Sequence, residues 1–243
     1  MAEGLSAGGR WWIVGASEGL GRALATAMAA EGRELVLSAR NADRLADLAA
    51  TLPRATALPM DVSDDTAVSA AGMQVGAVDG LIYSVGLYEP MAATAWNGPA
   101  ALAMAEANFM GALRVLGAAL PAMIARGQGR VVLIGSLAGF RGLPGAIGYG
   151  ASKAALMHLA ENLRADLRGT GVSVQIINPG FIDTRLTRKN DFRMPFLMSP
   201  EAAAAAVMRA MRGGRFSTSF PVPFAWLFQA GRYLPLGLFQ RLF

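Results

Sequence analysis

Tyr149 and Lys153 stand four residues apart in Tyr149-Gly-Ala-Ser-Lys153. On a helix that spacing puts both side chains on one face, one turn apart. A free phenol has a pKa of about 10, too high for easy proton exchange at neutral pH, and a nearby ammonium stabilises the phenolate. The pair therefore reads as a tunable acid/base, although the same spacing on its own commonly means only a surface pair. Ser136 lies 13 residues earlier, just past the apolar run Arg130 to Ile134. In an open α/β sheet the carboxyl end of a strand is where ligands bind, so Ser136 is either a ligand-facing hydroxyl or a turn or helix cap. Asn108 falls inside a long helical pattern, Ala100 to Ala125. A helix interior mildly disfavours Asn, which hints at a reason for its presence.

A second constellation is built for an anion. Gly15-Ala-Ser17-Glu18-Gly19-Leu20-Gly21 separates the apolar run Trp11 to Val14 from a helical pattern, Leu20 to Ala30. Glycines there permit a tight turn, close backbone approach to a pyrophosphate and a helix N-terminus aimed at its charge. The ordinary alternative is a turn that only packs helix on strand. The second strand ends in Ser38-Ala39-Arg40, without the carboxylate that would bond a ribose 2′-hydroxyl. Arg40 can instead make charge-assisted bonds to a 2′-phosphate, which favours NADP(H) over NAD(H). Glu18 opposes this, since a carboxylate beside a phosphate is repulsive. Asp61-Val62 closes the third apolar run, where Asp61 can meet a ligand, lie at the start of a short helix, or do both.

These groups are spaced by alternating elements. Strands are expected at Trp11 to Val14, Glu34 to Ser38, Ala55 to Met60, Gly80 to Ser84, Arg130 to Ile134, Val172 to Ile177 and Ser217 to Val222. Helices are expected at Leu20 to Ala30, Asp43 to Ala50, Asp64 to Ala71, Ala100 to Ala125, Tyr149 to Leu167 and Pro200 to Met211. Alternation of this kind implies βαβ units, and continuous apolar strands imply a mostly parallel sheet covered on both faces. The fold class is α/β: one doubly wound Rossmann-type domain spanning 1–243. Residues 185–198 lack any period and read as a mobile substrate loop.

Composition sets the outer bounds. At roughly 150 residues per domain, 243 residues allow one large domain. With 53% hydrophobic and 16% charged residues the chain is not disordered. No cysteine is present, so a disulfide framework and a Cys-based zinc site are excluded, and no metal is expected. The one histidine, His158, reads as structural rather than catalytic. The net charge of +5 is scattered, with no long basic run, so no nucleic-acid partner is expected. Met1 to Ser6 lacks the charged and apolar regions of a signal peptide, and no uncharged apolar stretch reaches 18 residues; the longest candidate span, Phe216 to Gly231, contains two prolines. A cytoplasmic location is the expectation.

Taken together, the glycine turn, Ser136, Tyr149-x-x-x-Lys153 and Asn178-Pro179-Gly180-Phe-Ile182-Asp-Thr184 resemble the short-chain dehydrogenase/reductase family over essentially the whole chain. The resemblance implies an NAD(P)-dependent oxidoreductase that interconverts a small-molecule carbonyl and a secondary alcohol. It assigns Tyr149 as acid/base, Lys153 as the group that lowers its pKa, Ser136 as holder of the substrate oxygen, and Asn108 as holder of a relay water. It assigns Gly86 to the adenosine ribose, Asp61 to the adenine, and Pro179, Gly180, Ile182 and Thr184 to the nicotinamide. The family commonly has Asn-Asn-Ala-Gly after the fourth strand; Tyr83-Ser-Val-Gly86 stands here. The competing classes are a non-catalytic dinucleotide-binding regulator and a membrane-surface protein. Met91, Met194 and Met198 are candidate substrate-pocket residues, in walls formed by 87–97, 138–147 and 185–198. The family also implies a homodimer or homotetramer. The apolar extension Phe216 to Phe243, broken by Pro223 and Pro235 and carrying Arg232 and Arg241, is expected to be a subunit interface or, alternatively, a peripheral membrane contact.

Overall fold

The computed structural model describes residues 9–242; residues 1–8, which include the stretch Met1 to Ser6, and Phe243 lie outside the described residues. Seven strands form one parallel sheet: β1 (Arg10–Val14), β2 (Glu34–Ser38), β3 (Ala55–Ala57), β4 (Gly80–Tyr83), β5 (Gly129–Ile134), β6 (Val172–Pro179) and β7 (Ser217–Phe220). Their order is β3-β2-β1-β4-β5-β6-β7. Chain direction across the sheet reverses between β1 and β4, and in such sheets the crevice beyond the strand ends at that point takes the ligand.

The period-2 alternation of β1 fills both faces. Trp11 and Ile13 pack with α1 (Gly19–Ala30), α2 (Ala42–Ala50) and α7 (Pro200–Gly213). Trp12 and Val14 pack with α3 (Asp65–Val75), α5 (Gly111–Arg126) and α6 (Ile147–Asp166). The buried indole N–H of Trp12 donates to the Ser38 hydroxyl at 2.9 Å, so its polar atom is satisfied.

Several elements depart from expectation: β7 ends at Phe220 rather than Val222, where the next helix begins, α3 runs on to Val75, and three further departures have evident physical reasons. β3 stops at Ala57 rather than Met60, because Pro59 has no N–H to continue the ladder on this edge strand. β6 runs on to Pro179, because its pairing with β7 continues to Pro179–Phe220. The long helix expected over 100–125 is split into α4 (Gly98–Ala105) and α5 by a π-turn, Glu106–Met110. There the Gly111 N–H reaches back five residues to the Glu106 carbonyl. This frees the Ala107 carbonyl to accept the Tyr83 hydroxyl at 2.5 Å. Glycine is needed at 111, since a Cβ would lie 2.5 Å from that hydroxyl.

The run Gly98–Arg126 is also long and apolar enough to cross a membrane by length and composition, unlike the expected candidate at 216–231. Its inner face, Ala112, Val115, Leu116, Ala119 and Met123, is packed in the sheet core, as in a core helix of a globular domain.

The C-terminal extension folds back as α8 (Val222–Gly231) and α9 (Leu236–Gln240). Pro223 sits in the first turn of α8, where proline is tolerated, and does not interrupt it. Phe224, Phe228 and Phe239 are buried in a third cluster with Leu137, Phe140, Leu143 and Phe181. Arg141 ties this unit down by donating to the carbonyls of Gly231 and Arg232, both at 3.0 Å, and of Leu234. The extension therefore caps its own domain with one face and leaves Trp226, Tyr233 and Leu238 exposed on the other. Phe228→Ala should lower the unfolding free energy by about 3–5 kcal/mol in urea titration, whereas Trp226→Ala, at a position 66% exposed, should change it by less than about 0.5 kcal/mol. Equal effects would show that the buried aromatic face does not support the domain.

Candidate active site

A cleft of about 830 Å³ lies over the carboxyl ends of β1, β4, β5 and β6. Its floor is the glycine turn. Gly15 has φ +92°, and a Cβ on Gly21 would lie 2.0 Å from the Gly15 carbonyl oxygen. The turn can close this tightly only without side chains. Glu18 is the N-cap of α1 but makes no capping bond, and the first turn holds no acid. The first N–H groups of α1 thus remain available to an anion, which fits a dinucleotide pyrophosphate. Ser17, Leu20, Arg40, Asp61, Val62, Gly86, Pro179, Gly180, Ile182 and Thr184 all line the same cleft, as do Tyr149 and Lys153.

The structure brings Ser136, Tyr149 and Lys153 together. Lys153 is buried, and its Nζ donates to the carbonyls of Val85 at 3.1 Å and Ile134 at 2.9 Å. Burial disfavours its charge and pushes its pKa down to about 7. Nζ lies 5.9 Å from the Tyr149 ring centroid. Burial also raises the Tyr149 phenol above its ordinary value, while the Ser136 hydroxyl, hydrogen-bonded to it, pulls the other way. In the protein alone the phenol is thus raised rather than lowered, with desolvation the largest cause and the neighbouring Tyr88 adding to it. Ser136 in addition accepts from the Ala138 N–H at 3.1 Å, so it is a turn cap as well as a site hydroxyl.

Asn108 sits in the π-turn and is fully buried. Its Oδ1 accepts from Leu87 N–H at 2.7 Å; its Nδ2 donates to the Leu87 carbonyl and the Ser152 hydroxyl, each at 2.9 Å. Ser152 passes the chain on to the Tyr149 carbonyl at 2.8 Å. The Asn108 side chain thus braces the loop after β4 against α6. Tyr83 takes part in that bracing in place of the family's asparagine, through Ala107.

At the adenosine end, Arg40 is exposed and faces Asp61. Burial would raise the Asp61 carboxyl, but bonds from the Ser63 backbone and hydroxyl and the charge of Arg40 outweigh it and hold it low. Asp61 does not cap α3; that is done by Asp64, which accepts from Thr66 and Ala67 N–H. Glu18 is not an unbalanced charge. It pairs with Arg44 at 2.9 Å and with Arg185 at 2.6 Å.

Other expectations are corrected. His158 is a surface residue, 74% exposed and 3.9 Å from Glu161, because it falls on the outer face of α6. None of Met91, Met194 and Met198 lines the cleft. Met91 is buried where its N–H pairs with Gly145, Met194 meets Asn190, and Met198 packs on the sheet core. Of the expected pocket walls, Leu87 and 185–187 reach the cleft; the 138–147 wall instead carries Phe140 and Leu143 against the C-terminal helices.

Several residues of the site escaped sequence reasoning, Arg44 and Arg185 beside Glu18 among them. Tyr88 packs edge-on against Tyr149, with ring centroids 5.2 Å apart, and donates to Asn190 at 2.9 Å. Thr187 binds the Ile182 carbonyl at 2.5 Å and accepts from Thr184 N–H at 3.1 Å, so it shapes the nicotinamide segment. Neither carries a local motif.

Comparison with known proteins agrees with this geometry. The sequence model described as short chain dehydrogenase matches residues 11–193. An uncharacterized oxidoreductase of Myxococcus xanthus is 35% identical over 236 residues, covering 94% of this chain and 93% of that protein. A short-chain dehydrogenase structure from Streptomyces avermitilis superposes with a TM-score of 0.84 at 30% identity, covering 92% of both chains. One from Burkholderia cenocepacia, in complex with NADP, does so with a TM-score of 0.84 at 27% identity and the same coverage. Sequence, sheet order and cleft converge, and the chain belongs to the short-chain dehydrogenase/reductase family as an NAD(P)-dependent oxidoreductase.

Proposed function

We propose that the enzyme is NADPH-preferring and interconverts a small-molecule carbonyl and a secondary alcohol, with Tyr149 as the acid/base. The observation that carries this reading is that Tyr149 and Lys153 line the cleft that also holds the glycine turn and Arg40, with the Ser136 hydroxyl hydrogen-bonded to Tyr149. A bound dinucleotide would supply hydride-transfer chemistry. The glycine turn and α1 N-terminus would hold its pyrophosphate, Asp61 and Gly86 its adenosine, and Ile182 and Thr184 its carboxamide. The Ser136 hydroxyl holds the substrate oxygen, and the Tyr149 phenol gives it a proton in reduction or takes one in oxidation. Lys153, fixed by two carbonyls, shares the proton traffic at Tyr149. Asn108 positions Tyr149 through Ser152.

The preference for NADPH rests on Arg40, in the turn between β2 and α2 and four residues before Arg44, with no carboxylate at the end of β2. The structural relatives from Burkholderia cenocepacia and Sphingobium yanoikuyae, bound to NADP and NADPH, support it. We further propose a cytoplasmic homo-oligomer in which a second copy of this chain covers the exposed outer face of α8 and α9, the membrane-surface reading being the alternative.

Three measurements test these assignments. Tyr149→Phe should retain cofactor binding and lose about 10²–10⁴ in turnover; near-normal turnover across a carbonyl panel would remove Tyr149 from the chemistry. Fluorescence titration should show tighter NADPH than NADH binding, and Arg40→Ala should narrow the gap by about 1.5–3 kcal/mol. Equal affinities in the parent protein would refute the preference. In sedimentation, Trp226→Ser with Leu238→Ser should lower the particle mass; an unchanged mass with lost liposome co-sedimentation would move the tail to a lipid surface.

A further inference from the structure

Residues 184–190 span the cleft between its two rims. On one rim, Thr184 packs against the glycine turn so closely that a Cβ on Gly19 would lie 2.9 Å from its Cγ2. Arg185 bonds the Glu18 carboxylate of the same turn at 2.6 Å. On the other rim, Asn190 accepts from the Tyr88 hydroxyl at 2.9 Å. Lys189 donates to the Tyr88 carbonyl at 3.1 Å and pairs with Glu89. Between these ends the segment is tied to itself. The Thr187 hydroxyl bonds the carbonyls of Ile182 and Thr184, and Arg188 pairs with Asp183 at 3.2 Å. It is thus a short, internally braced strap fastened at both rims, and 184–187 line the cleft beneath it.

We propose that Glu18 is the latch of this strap: its bridge to Arg185 holds the strap over the dinucleotide cleft, and cofactor exchange requires that bridge to part. This rests on the reading of the cleft as a dinucleotide site. It accounts for an acid where an anionic ligand must come. The carboxylate is shared between Arg185 and Arg44, so it faces two cations and keeps the arginine of α2 beside the adenosine end. Both partners are half or more exposed, with side-chain accessibilities of 50% for Arg44 and 70% for Arg185. Such a pair is weak and salt-screened, which suits a fastening that must open in every turnover. Glu18 acts here as a positioning residue; it need not touch the reacting atoms.

The test uses the full chain with Glu18→Gln, Arg185→Gln and the double variant. Hydrogen exchange of the amides of 184–190 is followed in the cofactor-free protein. Release of NADPH and of NADH is followed by stopped-flow fluorescence at low salt. Each single variant should speed exchange in the strap and speed release of both dinucleotides by about two- to fivefold, the range of an exposed ion pair. The double variant should go no further than Glu18→Gln alone, since Glu18→Gln already breaks the bridge that Arg185→Gln removes. Parent-like release and exchange in Glu18→Gln, or additive single effects, would overturn the latch. An effect confined to NADPH would also overturn it, making Glu18 a discriminator of the 2′-phosphate. If the parent protein bound neither dinucleotide, the cleft assignment would fall instead, and the exchange of 184–190 would still decide the latch.

Discussion

The Lys153 amine donates to two carbonyls at the ends of neighbouring strands, Val85 beyond β4 and Ile134 at the end of β5. A buried amine is costly unless its N–H groups are bonded. Parallel strands that stop side by side expose carbonyls that no further ladder satisfies. The two needs answer each other, and in doing so they set α6 at a fixed height across the sheet. Tyr149 comes one turn before Lys153 on α6 and Ser136 two residues after Ile134, so the same two bonds bring hydroxyl and phenol together.

A second layer keeps that arrangement from slipping. The Asn108 amide is saturated by Leu87 and Ser152, which binds it to α6 through the Tyr149 carbonyl. Asn108 is delivered by a π-turn, and that turn leaves the Ala107 carbonyl to accept the Tyr83 hydroxyl. The unusual Tyr83-Ser-Val-Gly86 segment is thus compensated within one local network: a bulky phenol replaces a small amide, and the helix widens by one residue per turn to receive it. Wide turns of this sort are frequent at functional sites.

The parts of the site legible in the sequence are those written in short contiguous segments. Gly15 to Gly21, Tyr149 to Lys153 and Asn178 to Thr184 each fall on one strand end or one helix turn, where backbone geometry alone dictates which atoms face the ligand. Alternation of apolar strands and amphipathic helices made the seven strands and their parallel arrangement readable as well. What stayed hidden depends on pairs far apart along the chain. Glu18 looked repulsive because Arg44 is 26 residues away and Arg185 is 167. Tyr88 carries no motif, and only folding puts it against Tyr149. The extension read as bare apolar surface because nothing local reveals that Phe224, Phe228 and Phe239 turn inward while Trp226 turns outward.

The aromatic contacts of α8 bear on the order in which the enzyme is made. Phe224 stacks on Phe181 with centroids 5.7 Å apart and meets Phe228 at 5.0 Å, which in turn meets Phe239 at 6.0 Å. A Cβ on Gly180 would lie 3.3 Å from Phe224 and 3.4 Å from Leu137, so this aromatic row backs directly onto the residues that flank Ser136 and the nicotinamide segment. Chains are synthesised from the N-terminus at about 5–20 residues per second, and folding begins during synthesis. The glycine turn, Ser136 and Tyr149 emerge from the ribosome well before residues 224–239. A nascent chain can therefore assemble its nucleotide-binding half while the rear wall of its reaction centre is still inside the exit tunnel, and it becomes a competent catalyst only after that wall is released.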